Sequence, residues 1–134
     1  SVKYVMKYTS SNIDIDSGHY QGEPSLYFKF KGKFTETASR DSTRAWHQEM
    51  DTNPLTHYVF IWDCEDMGGF EISARKLWYE YMSLHKHQID RVVVISGSIL
   101  IRNAARVMLE FFGTTCTVVK NREKFAELKE MAEV

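Results

Sequence analysis

Residues 57–84 read HYVFIWDCEDMGGFEISARKLWYEYMSL, and the change of pattern inside this stretch decides the fold. Val59, Phe60, Ile61 and Trp62 form an unbroken apolar run that stops at Asp63, as expected of a central strand covered on both faces. An acidic, glycine-bearing loop is expected next. From Ser73 onward Leu77, Trp78, Tyr81 and Leu84 recur at helical spacing, which predicts a helix with one apolar face packed on that strand. In such units function usually sits where the strand hands over to the helix, so the loop 63–73 is the first candidate site.

The flanking segments repeat the unit. Ile13 and Ile15 alternate with Asp14 and Asp16, and Leu26, Phe28 and Phe30 alternate with Tyr27, Lys29 and Lys31, the period of two of strands with one wet face. SGHYQGEPS between them is rich in turn formers, so the pair reads as a hairpin. Val2, Tyr4, Val5 and Met6 give at most an edge strand ahead of it. A helix is expected from about Ala38 to Met50, closed before Asn53-Pro54, with a thin apolar face of Ala38, Ala45, Trp46 and Met50. Beyond the opening stretch, Val92 to Ile95 repeats the buried-strand pattern and Ser96-Gly97-Ser98 turns into a helix that ends at Gly113. Thr114 to Val119 is a β-branched strand, and Asn121 caps a last helix whose apolar face is Phe125, Leu128 and Ala132. The order β-β-α-β-α-β-α-β-α predicts an α/β fold, a mixed, mainly parallel sheet with right-handed crossover helices, as a single domain over residues 1–134.

Composition narrows the functional classes. With 43% hydrophobic residues among 134, the chain can build a core without metal or disulfide staples. A net charge of -1, with Arg40, Arg44, Arg75, Lys76, Arg91, Arg102 and Arg106 dispersed among acids, gives no footprint for nucleic acid. No apolar run nears the roughly 20 residues of a membrane span, and no long apolar leader stretch stands at the start. Cys64 and Cys116 lack any paired spacing, so they read as reduced thiols and the expected location is cytoplasmic.

The order, the length and the junction resemble the STAS domain, the module shared by sulfate-transporter tails and anti-sigma factor antagonists. In that family an aspartate ends the strand, and a second acidic residue precedes two small hydroxyl residues and a glycine at the helix start. Asp63 stands at the first position and Phe70-Glu71-Ile72-Ser73-Ala74 over the second block. Glu71 replaces the aspartate, Ile72 takes the place of the phosphorylated serine, and Ala74 stands for the glycine. Only Ser73 keeps a hydroxyl, so it is the possible phosphoacceptor on this resemblance. The resemblance implies a STAS-like fold over nearly the whole chain and a regulatory, non-catalytic protein that docks a signalling partner such as an anti-sigma-like kinase. Related STAS-like and Sec14-like folds shelter apolar ligands, which implies a second class, a small-molecule or lipid binder or small enzyme with a pocket at the carboxyl ends of the strands.

Asp63, Glu65, Asp66 and Glu71 could hold a hard cation, but acids near a helix start need only its dipole to explain them. Gly68-Gly69 carries no phosphate-loop motif and reads as loop flexibility. Ser96, Gly97 and Ser98, with Arg102 a turn later, form a possible anion site, against which Ser98 as a plain N-cap is the simpler reading. His85, His87 and Asp90 in HKHQID lack a further ligand and read as a polar surface turn, so no metal or other cofactor is expected. Cys64 and His57 flank one strand too far apart to form a nucleophile and base. The expected partner-binding residues are Asp63, Glu65, Asp66, Glu71, Ser73 and Trp78, with the exposed members of Trp78, Tyr79 and Met82 expected to supply apolar contacts. A third reading is self-association through the hairpin edge or an aromatic face.

Overall fold

The computed structural model describes residues 5–131. They form β1 (Lys7–Tyr8), β2 (Ile13–Tyr20), β3 (Glu23–Phe34), α1 (Glu36–Thr52), β4 (Tyr58–Phe70), α2 (Ile72–Leu84), a 3-10 turn (Lys86–Gln88), β5 (Ile89–Ile95), α3 (Ile99–Phe112), β6 (Thr115–Val119) and α4 (Arg122–Met131). The expected order of strands and helices is the observed one, with β1 as a short edge. Val2, Tyr4 and Ala132, assigned above to the first strand and the last helix, lie outside the described residues.

The six strands lie in the sheet in chain order, β1 to β6. β1, β2 and β3 pair antiparallel, and β3, β4, β5 and β6 pair parallel. The hairpin turn is tighter than SGHYQGEPS suggests. Only Gln21 and Gly22 lie outside the strands, both with positive φ (52° and 81°), the geometry of a two-residue turn matched to strand twist.

Period two along β4 sorts its side chains between two cores. Phe60, Trp62 and Cys64 join the larger one, with Phe28 and Phe30 of β3, Trp46 and Met50 of α1, Trp78 and Met82 of α2, and Leu109 and Phe112 of α3. Val59 and Ile61 join the smaller one with Tyr20, Val93 and Ile95, against which Phe125 of α4 packs. Helices α1 to α3 therefore cover one face and α4 the other, which is why the central strands read as continuous apolar runs.

The edge strand lies at Lys7–Tyr8, past Val5 and Met6, and two further boundaries differ from expectation. α1 runs from Glu36 to Thr52 because the Thr35 hydroxyl oxygen accepts from the Ala38 N–H at 3.1 Å, and its inner face is widened by buried Ser39, Ser42 and Thr43. β4 does not stop at Asp63. It continues to Phe70 beside β3, with register shifts between Lys29 and Lys31 and between Gly32 and Lys33. The expected acidic loop is thus a bulged strand, and Gly68-Gly69 is part of it, with Gly69 at φ +137°, a backbone conformation that favours glycine.

Candidate functional site at the carboxyl ends of the parallel strands

Because β4 alternates, the residues expected to share one junction point to opposite sides of the sheet. Asp63 follows Val59 and Ile61 toward α4, and Cys64 follows Phe60 and Trp62 toward α2 and α3.

On the α4 side Asp63 is fully buried and meets Arg122, the first residue of α4. Arg122 Nε donates to Asp63 Oδ2 at 2.7 Å, Nη2 to Asp66 Oδ2 at 2.7 Å, and Nη1 lies 3.1 Å from Glu65 Oε2. The Tyr27 hydroxyl donates to the same Asp63 Oδ2, and the Glu65 N–H donates to Asp63 Oδ1 at 3.2 Å. One guanidinium therefore gathers three of the four expected acids. The hydrogen bond and charge of Arg122 hold the Asp66 carboxyl below its usual range, while burial and then the Asp63 bond raise the Tyr27 hydroxyl. These acids are not free solvated charges. Neither Arg122 nor Tyr27 was legible as a site residue, since their partners lie 36 to 59 positions away in the chain.

Glu71 does not join them. It is the N-cap residue of α2 but leaves that helix without a side-chain cap; its Oε1 accepts instead from the Glu36 N–H of α1 at 2.8 Å, and its own N–H donates to Phe34 O at 3.0 Å. The starts of α1 and α2 are thereby fastened together at the end of the β3–β4 ribbon. Ser73, in the first turn of α2, is exposed.

On the α2–α3 side lies a cleft whose lining includes Phe30, Trp62, Phe70 and Trp78 below and Ile101 and Met108 of α3 above, with exposed Arg75. Its cavity measures about 70 Å³. Trp78 is only 3% exposed and packs edge-on against Phe28 and Phe34 at 5.3 and 5.5 Å, and Met82 is buried as well. The expectation that Trp78 and Met82 present an exposed surface is therefore corrected: their helical spacing marks the core face of α2. Tyr79 is half-buried against Phe112, 4.5 Å between ring centroids. The exposed apolar residues at this end are Ile72 (63%) at the start of α2 and Ile99 (74%) and Leu100 (76%) at the start of α3.

The remaining candidates resolve into local structure. Ser98 Oγ accepts from the Ile101 N–H at 3.3 Å and Ser96 Oγ from the Ser98 N–H at 3.1 Å, so both hydroxyls of Ser96-Gly97-Ser98 serve the helix cap. Burial, with Asp63 adding to it, pushes the Cys64 thiol up to about 12, which leaves it protonated and a poor nucleophile. His57 pairs with Asp90, Nδ1 to Oδ1 at 2.8 Å, at the other end of β4. His85 is not in a surface turn but is buried.

Among the described residues no helix is long and apolar enough to cross a membrane. No protein-family profile matches the chain, and no curated protein matches it in sequence. Solved structures do. A protein of the DUF3478 family with a SpoIIAA-like fold, from Shewanella loihica PV-4, superposes with a TM-score of 0.66 at 19% identity over 92% of this chain and 98% of its own. The anti-sigma factor antagonist SpoIIAA in its unphosphorylated form superposes with a TM-score of 0.59 at 14% identity, over 87% and 96%. The chain has a SpoIIAA-like, STAS-type fold, a mixed α/β sheet with four helices.

Proposed function

We propose that this chain is a non-catalytic, regulatory docking module that binds a protein partner over the first turns of α2 and α3. The carrying observation is that Ile72, Ile99 and Leu100 are exposed at the carboxyl ends of adjacent parallel strands, while the acids of that end are engaged by Arg122. Three large exposed aliphatics grouped on the first turns of two neighbouring helices suit an interaction surface better than a reactive site. Glu71 and Ser73 flank Ile72 and complete the surface, with Glu65 and Asp66 as the polar groups a basic partner would compete for. Asp63 and Trp78 support the surface from beneath.

The partner class we infer, a signalling protein of the anti-sigma kinase type, rests on the likeness to an anti-sigma factor antagonist. Ser73 is the hydroxyl that regulation would use. A phosphate there would meet the unbonded N–H groups of α2, which has no side-chain cap and no acid in its first turn. A cytoplasmic location goes with the same reading.

The apolar cleft favours a second reading, a ligand-binding pocket between α2 and α3. Its size decides against it as the leading one: about 70 Å³ is far below the about 300–1,000 Å³ of ordinary ligand pockets, so a lipid tail enters only if α3 moves away. The variants that test the docking proposal are Ser73→Asp and Leu100→Asp, with Glu71→Lys as a third that also unfastens α1. Each is expected to lower affinity for the partner at least tenfold while the circular dichroism spectrum of Ser73→Asp and Leu100→Asp stays native. Unchanged affinity in both overturns the proposal, and tight binding of a fatty acid by native mass spectrometry would put the ligand reading in its place.

A further inference from the structure

At the opposite end of the sheet, the last turn of α1 meets the end of α2. His47 and Asp51 stand one turn apart on α1, and His85 closes α2. His47 Nδ1 lies 2.6 Å from His85 Nε2, His47 Nε2 lies 3.3 Å from Asp51 Oδ2, and His85 Nε2 lies 4.0 Å from Asp51 Oδ1. One ligand atom from each residue falls within 4.8 Å of the others.

The tautomer of His85 follows from its neighbour. The Gln88 side-chain nitrogen faces three carbonyl oxygens, Met50 at 3.3 Å, Asn53 at 2.9 Å and Thr56 at 3.1 Å, acceptors that the donor N–H₂ end of the amide, and not its oxygen, must face. Gln88 Oε1 must then be the atom 2.9 Å from His85 Nδ1, so that nitrogen carries the proton and donates it. This leaves the lone pair of His85 Nε2 aimed at His47. Both nitrogens of His47 in turn face acceptors, His85 Nε2 and the Asp51 carboxylate, and a neutral imidazole has one N–H for the two.

We propose that His47, Asp51 and His85 form a binding site for a divalent transition-metal ion of the zinc class. Two imidazoles and a carboxylate suit such an ion and not Mg²⁺ or Ca²⁺, which take oxygen ligands. Gln88, itself buried, is the outer partner that orients a ligating histidine. Tetrahedral zinc at about 2.0–2.1 Å from nitrogen holds two ligand nitrogens about 3.3 Å apart, so His47 Nδ1 and His85 Nε2, now 2.6 Å apart, need to part by about 0.7 Å. The freedom exists, because the side chains of His47 and Asp51 are 31% and 62% exposed while His85 is held. Bound metal would clasp the end of α1 to the end of α2, and a fourth position would face solvent. The motif HKHQID contributes one ligand, His85; His87 is exposed and Asp90 is paired to His57.

Titration of the tag-free, EDTA-treated chain with ZnCl₂ by calorimetry tests this, with Trp46, whose ring centroid lies 5.9 Å from that of His85, as a second reporter through CuCl₂ quenching of its fluorescence. The expected result is one zinc per chain at micromolar affinity or better, at least tenfold weaker binding in His47→Gln and Asp51→Asn, unchanged binding in His87→Gln, and a zinc-dependent rise in the unfolding midpoint of the wild-type chain. His47→Gln and Asp51→Asn carry the test if His85→Gln does not fold. Absence of micromolar binding, or equal binding by wild type and His47→Gln, overturns the proposal. The site lies at the other end of the sheet from the docking surface, so either can fail without the other.

Discussion

Arg122 makes three charge-assisted contacts from the first residue of α4, and the deepest of them is to a carboxylate with no exposed surface. Removing it leaves Asp63 with Tyr27 and one backbone N–H. Breaking a buried pair from one side costs about 3–5 kcal/mol, and because Arg122 is partly exposed we expect about 2–3 kcal/mol for Arg122→Ala, read by urea unfolding. The Asp66 contact has its own signature. Its carboxyl is held below the ordinary 3.8, so what it adds to stability is present above that value and is lost as the pH falls through the lower, folded one. Asp66→Asn is expected to lower stability most above about pH 4, where the contact is fully formed, and to flatten the acid limb, so that variant and wild type converge as the pH falls further. None of this was legible along the chain: Asp63 announced itself as the end of an apolar run, but its partner Arg122 sits after an ordinary β-branched strand with nothing to mark it. A separation of 38 positions likewise hid the pairing of His85 with His47.

Among the elements, β4 carries most of the difference between expectation and structure. The apolar run correctly located a central strand with two covered faces, and the helical spacing after Ser73 correctly located α2. What the pattern could not show was that Asp63 to Phe70 stays extended, because polar residues and two glycines are permitted where one neighbour, β3, supplies hydrogen bonds and bulges absorb the register shifts. The periodicity of α2 was also open to two meanings, core face or exposed aromatic surface. Burial settles it for Trp78, whose ring also lies 5.4 Å from that of Trp46, linking α1 to α2. Trp78→Ala is expected to cost about 3–5 kcal/mol in denaturant unfolding. A loss of partner binding in that variant would report on the fold as much as on the surface, whereas Leu100→Asp, at an exposed position, isolates the surface.

At the scale of the whole molecule, alternating strands and helices were enough to predict a mainly parallel sheet with an antiparallel edge, since parallel neighbours need crossover helices and their strands must be apolar on both sides. That inference needs only local pattern. The allocation of α1, α2 and α3 to one face and α4 to the other depends on packing, and it is what separates the Arg122 cluster from the apolar cleft. The resulting molecule has two distinct ends: a carboxyl end with exposed Ile72, Ile99 and Leu100, and an amino end with the His47–Asp51–His85 cluster and exposed Leu55. The docking proposal concerns the first end alone. Its most direct test is to place a photo-crosslinking amino acid at Ile72 and, in a separate variant, at Leu55, irradiate each in native cell extract, and identify the adducts by mass spectrometry. One partner protein captured in stoichiometric amount from Ile72 and absent from Leu55 is the predicted result; the same adducts from both positions, or none from Ile72, would contradict it.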